Sequence, residues 1–162
     1  MSRIYVSLGS NINPEDNIRS GIVDLKTLFP GLVVSSVYRS KAVGFDGDDF
    51  YNLVAGFESD SSVYSIIEQL KAIELRHNRI RDNNRFASRT LDIDLLLFDD
   101  LVITSGDMKI PRDEITHYAF VLFPLSEIAG QERHPVSGIT YKDLWRTFND
   151  HTQLLHRVEF QW

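Results

Sequence analysis

Residues 91–98, LDIDLLLF, constrain the fold more tightly than any other stretch. Successive side chains of a strand point to opposite faces, so Leu91, Ile93 and Leu95 share one face and Asp92 and Asp94 the other. Such a strand belongs to a sheet that is packed on one side and polar on the other. The two acids then stand with Cα atoms roughly 6.5–7 Å apart. Two carboxylates so placed can hold a pair of hard cations, and magnesium suits oxygen ligands that leave room for water. The competing reading is an ordinary solvated strand face.

The neighbourhood bears on that choice. Arg76, Arg79, Arg81, Arg85 and Arg89 crowd the segment just before the acids. Arginine presents a rigid fork of donors that matches phosphate oxygens and stays charged at working pH. A helix end, where cations are favoured by the dipole, accounts for Arg76 and Arg79. It accounts poorly for Arg85 and Arg89, because Asn83 and Asn84 mark the end of the helix. Arginines beside paired carboxylates point to a polyphosphate clamp.

Periodicity along the chain predicts a strand over 3–8, a helix over 14–28, a strand over 32–39 and an exposed loop over 41–49. A strand over 51–58 follows, then a helix capped by SDSS (59–62) that ends near residue 78, then the 91–98 strand. The order β-α-β-β-α-β is the split βαβ pattern, so the expected class is α+β with a ferredoxin-like core, an antiparallel sheet and helices packed on it. A C-terminal extension adds a hairpin near 101–110, a helical turn around 122–129, a helix at 141–148 and an edge strand at 156–161. With 162 residues and neither repeat nor linker, the expectation is a single domain over 1–162.

Composition removes several function classes. The formal net charge of −6 argues against a general nucleic-acid or membrane-surface binder. The chain has no cysteine, so neither disulfides nor thiolate metal sites hold it. It carries no long apolar run and no signal-peptide pattern at its start, so the expected location is the cytoplasm. Neither GxGxxG nor GxxxxGK[ST] occurs. The βαββαβ order also suits a single-strand RNA-binding module, but the aromatic signature of such modules is missing and two acids on the exposed strand would repel phosphate. Among single residues, Asn52 can read a heterocycle through its amide or cap a turn. Phe86 and Phe120 can stack on a planar ligand or fill core, and Glu74 reads by default as a surface acid.

The segments YVSLGSN (5–11), SSVYRS (35–40), FYN (50–52), IEL (73–75), RTLDIDLLLF (89–98) and FPLSEIA (123–129) together resemble the 6-hydroxymethyl-7,8-dihydropterin pyrophosphokinase family of folate synthesis. The resemblance runs nearly end to end. It implies transfer of pyrophosphate from ATP to the pterin hydroxymethyl group, with AMP released. It implies two magnesium ions on Asp92 and Asp94, and Arg79 and Arg89 as catalytic phosphate-handling arginines. Glu74, Arg81 and Arg89 match ATP-binding positions. Ser40, Val43, Asn52, Phe120 and Phe86 match the pterin pocket. Loops 41–49 and 82–88 match segments that close over the substrates, and a monomer is expected.

The chain departs from the family pattern at four places. Trp-Gly-Pro-Arg is here Phe86-Ala87-Ser88-Arg89, Arg-[ST]-x-Pro is Arg39-Ser40-Lys41-Ala42, and Pro-His is Pro111-Arg112. A later family arginine falls on Tyr118. Arg112, a cation with donors, is the expected replacement for the histidine as an ATP phosphate ligand. The alternative is a divergent paralogue that binds nucleotide or a pterin-like ligand with weak or altered transfer.

Overall fold

The computed structural model describes residues 1–44, 46–77 and 90–162. Arg79, Arg81, Arg85, Phe86 and Arg89 lie outside them. In chain order the elements are β1 (Ser2–Ser10), α1 (Pro14–Leu28), β2 (Val33–Val34), β3 (Val37–Ser40), β4 (Phe50–Ser59) and α2 (Val63–Arg76). Then come β5 (Asp92–Phe98), α3 (Glu114–His117), α4 (Ala119–Ala129), α5 (Tyr141–Arg146) and β6 (His156–Val158).

Local chemistry sets the helix limits. Pro14 sits in the first turn of α1, where its missing N–H costs nothing, and Glu15 and Asp16 complement the positive end of the helix dipole. Pro30 and Gly31 end it, Gly31 at φ 89, where a side chain would be strained. Ser62 caps α2 by accepting from the Ser65 N–H at 3.1 Å.

All strand pairs are antiparallel, in the order β5-β1-β4-β3-β6, with β2 also on β4. This is the ferredoxin-like arrangement with β6 added at one edge. One sheet face carries Ile4, Val6, Leu8, Leu53, Ala55, Phe57, Ile93 and Leu95. It is sealed by Ile18, Ile22 and Leu25 of α1 and by Ile66, Leu70 and Ile73 of α2. The opposite face carries Tyr5, Val54, Leu96 and Leu97, which pack against Val121, Leu122 and Leu125 of α4 and Tyr141 of α5.

The expected strand over 32–39 is two strands. At the break the Ser35 N–H donates to the Val54 carbonyl at 2.9 Å, while the Ser35 hydroxyl accepts from the Val54 N–H at 2.9 Å. A side-chain oxygen thus replaces a backbone carbonyl in the ladder. Ser36 turns outward, its N–H and hydroxyl both donating to Glu127 of α4. The α2 helix ends at Arg76, two residues before the expected limit, where the Arg76 guanidinium reaches Asp24 of α1 at 3.4 Å. The hairpin near 101–110 is present as a single bridge between Ile103 and Ile110. The helical turn around 122–129 begins earlier, at Ala119, and α3 is an element that periodicity does not announce.

β5 is the sheet edge, and its outer side is covered. Glu74 of α2 accepts from the Ile93 N–H at 2.9 Å, and the Arg112 N–H donates to the Leu96 carbonyl at 3.1 Å.

Candidate active site

Strand register assembles the site. Gly9 of β1 stands opposite Asp92 of β5 on one side and Asn52 of β4 on the other, and Asn52 stands opposite Tyr38 of β3. Two residues back along β1, on the same face, Ser7 lies between Asp94 and Val54. Side chains of one row point to the same face, so Asp92 and Asn52 flank Gly9 across two strand spacings, roughly 10 Å. This is the face that α4 and α5 cover farther along. Near Gly9 it bears polar side chains instead.

Gly9 is required by close approach. A Cβ there would come within 2.7 Å of the Asn52 Oδ1 and 3.8 Å of the Phe50 ring. Asn52 is 7% exposed, and its Nδ2 donates to the Ser40 hydroxyl at 3.3 Å. That contact turns the amide oxygen toward Gly9. Phe50, two residues before Asn52 on β4, presents its ring on the same side. It is a residue that the single-residue reading missed, and period-two spacing from Asn52 was the available signal.

Asp92 and Asp94 are half-buried while Ile93 and Leu95 are buried on the opposite face, as the alternation predicts. The Arg112 Nη2 lies 3.9 Å from the Asp94 carboxylate, and its Nε donates to Glu114 at 2.6 Å. Burial alone would lower the pKa of this guanidinium. The carboxylates of Asp94, Glu114 and Asp92 outweigh that and hold it above the ordinary arginine value. The donor set fits magnesium: two half-buried carboxylates on one strand face, beside a site that already draws a cation. Among the described residues no group of three or more His, Cys, Asp or Glu gathers as a metal cage. A hard ion whose remaining ligands are water or phosphate matches that arrangement.

Glu74 corrects its default reading. It is 2% exposed, wedged between α2 and β5, with its carboxylate on the backbone N–H that separates Asp92 from Asp94. Arg76 is likewise engaged away from the acids, on Asp24. Val43 stands 40% exposed in the 41–49 segment. Phe120, second residue of α4, is half-buried and stacks on Tyr118 with ring centroids 5.0 Å apart. The segment before it is clasped by Gln153, which accepts from the Ala119 N–H at 2.8 Å and donates to the His117 carbonyl at 2.9 Å.

Ser10, the last residue of β1, and Asn11 after it are 0% and 4% exposed. The Ser10 hydroxyl lies 2.5 Å from the Thr90 carbonyl, and the Asn11 amide donates to the Asp48 carbonyl at 3.1 Å. The end of β1 therefore ties down Thr90 and Asp48, just before β5 and β4.

The α+β fold and the paired acids define a class. The 7,8-dihydro-6-hydroxymethylpterin-pyrophosphokinase family model matches residues 5–130, and the chain belongs to that family. Its relatives make the kinship specific. The 2-amino-4-hydroxy-6-hydroxymethyldihydropteridine pyrophosphokinase of Haemophilus influenzae is 34% identical over 158 residues, covering 95% of this chain and 98% of that protein. The enzyme of the same name from Pseudomonas aeruginosa is 34% identical over 139 residues, covering 83% of this chain and 85% of the relative. The fold is shared with the Plasmodium falciparum HPPK-DHPS protein solved with pteroate, at a TM-score of 0.70 and 13% identity. That match covers 90% of this chain and 42% of the larger one.

Proposed function

We propose that the chain catalyses the reaction its family is named for. The hydroxymethyl oxygen of 6-hydroxymethyl-7,8-dihydropterin bonds to the β-phosphorus of ATP, and the bond from that phosphorus to the α-phosphate oxygen breaks. The hydroxyl proton is released and AMP leaves. The observation that carries this reading is the row through Gly9. It sets the Asp92 carboxylate and a buried amide on one face, roughly 10 Å apart, with Asp94 in the next row. That separation suits a phosphate chain over the acids and a heterocycle over the amide.

Each residue's role follows from its place. Asp92 and Asp94 hold two magnesium ions, which when bound neutralise and polarise the phosphate oxygens. Asn52, oriented by Ser40, reads the pterin edge through paired donor and acceptor. Phe50 and Phe120 offer ring faces to it, and Val43 and Phe86 serve the same pocket, Phe86 on the sequence motif alone. Arg79 and Arg89 steady the transferring phosphates, a role that rests on the sequence motif. Arg81 and Glu74 serve the nucleotide side, Glu74 also fixing the strand between the two acids. Arg112 takes the phosphate contact of the family's histidine. Water competes as acceptor, and the family resemblance assigns its exclusion to segments 41–49 and 82–88, the latter outside the described residues. The working protein is a cytoplasmic monomer. Among the described residues no helix is long and apolar enough to cross a membrane.

The test is AMP formation from ATP, followed with and without magnesium and with and without the pterin. Turnover requires all three. Calorimetric binding of magnesium–ATP with no AMP formed in the complete mixture would contradict the proposal.

A further inference from the structure

Arg112 is held unequally by two acids. Its backbone N–H is bonded to the Leu96 carbonyl on the edge of β5, so the side chain starts beside the carboxylate face. Its Nε is bonded tightly to Glu114, at 2.6 Å. Its Nη2 reaches Asp94 only at 3.9 Å, beyond hydrogen-bond range. The other nearby acid, Asp113, is engaged by Lys109 at 3.0 Å. The guanidinium therefore has one firm anchor and one loose partner, and the loose partner is one of the paired acids. It can let go of Asp94 without leaving the site.

We propose that Arg112 is a resident counter-cation of the Asp92–Asp94 pair. In the nucleotide-free chain its positive charge already stands 3.9 Å from Asp94, and a divalent ion must enter against it. A polyphosphate draws the guanidinium away while Glu114 keeps it near. Metal and nucleotide then bind with positive coupling, since each relieves the charge that opposes the other. This inference rests on the reading of Asp92 and Asp94 as metal ligands. It concerns what Arg112 does to metal affinity, which that reading alone does not fix. A like charge within several ångströms of a divalent ion at a half-buried site weakens binding by roughly tenfold or more.

The experiment is a titration of the nucleotide-free protein with Mn2+, free ion being counted by electron paramagnetic resonance. Wild type, Arg112→Gln, Arg112→Lys, Asp94→Asn and the Arg112→Gln/Asp94→Asn double variant are compared. Arg112→Gln should bind Mn2+ about tenfold more tightly than wild type. Arg112→Lys should stay near wild type, and the double variant should lose the gain. Equal affinity in wild type and Arg112→Gln, with weaker binding in Asp94→Asn, overturns the counter-cation and leaves the metal reading intact. Mn2+ binding that is indifferent to Asp94→Asn in both backgrounds, or absent throughout, overturns both. If Arg112→Gln is unfolded alone, refolding on addition of Mn2+ supports the proposal. Failure to refold with Mn2+ counts against it.

Discussion

One face of the sheet has two halves that the chain treats in opposite ways. Around Tyr5 it is apolar: Tyr5, Leu96 and Leu97 lie under α4 and α5, with Val54, opposite Ser7, at the border. Around Gly9 it is polar: Asp92, Asp94, Asn52 and Ser40 line the surface. The same strands supply both halves, and the register shift between Tyr5 and Val6 falls where they meet. The lesson is a division of labour along a strand. β5 gives its far end to packing, its near end is the part proposed for chemistry, and Glu74 and Arg112 fix that edge from outside.

Substitution should separate the halves, and the largest effect is expected at the acids. Asp92→Asn or Asp94→Asn should cut turnover by at least 10²–10³-fold, on the order seen when one preorganised charge stabiliser is removed. Urea midpoints should move little. Leu96→Ala, two residues beyond Asp94, should do the reverse, costing about 2–5 kcal/mol of stability while the folded fraction keeps its turnover. If both variants lost activity and stability together, the division along β5 would be wrong.

Gly9→Ala sharpens the comparison within the polar half. The new Cβ would displace the Asn52 amide, so the KM for pterin should rise about tenfold, as expected for a lost hydrogen bond at a ligand. The KM for ATP should hold. Equal changes in both constants would show that Gly9 serves the whole strand and not the amide. Asn11→Ala, which removes the contact to the Asp48 carbonyl, should cost about 1 kcal/mol of stability. Limited proteolysis should then cut first within 41–49.

The smallest effect is expected in the apolar half, at His134. Burial depresses its imidazole pKa, and its Nδ1 accepts from the Val136 and Ser137 N–H groups. The unfolded chain therefore binds a proton first as pH falls. The contribution is whole above pH about 6.5 and is lost as pH falls through the depressed folded value. Denaturation curves for His134→Asn should lack that part of the acid slope, with kcat unchanged.

How much of this was legible in the sequence differs between the halves. The strand at 91–98, both long helices and the βαββαβ order follow from local periodicity, because burial on a sheet or helix face repeats at short range. The paired acids are legible for the same reason. Glu74 was misread because its partner, the Ile93 N–H, lies nineteen residues away and no local pattern marks a buried acid. The break at Ser35 depends on a hydroxyl entering the ladder opposite Val54. No local pattern marks Gly9, whose constraint comes from Asn52, brought beside it by the register. The unequal grip on Arg112 involves a strand and a short helix that only the tertiary fold brings together.

The central claim is that the polar half carries out metal-dependent pyrophosphoryl transfer. The most direct test is coupled detection of AMP from ATP, magnesium and 6-hydroxymethyl-7,8-dihydropterin, run on wild type, Asp92→Asn and Asp94→Asn together. The account predicts AMP only from wild type, and only when metal and pterin are both present. AMP formed without pterin at the same rate, or undiminished turnover in both variants, would contradict it.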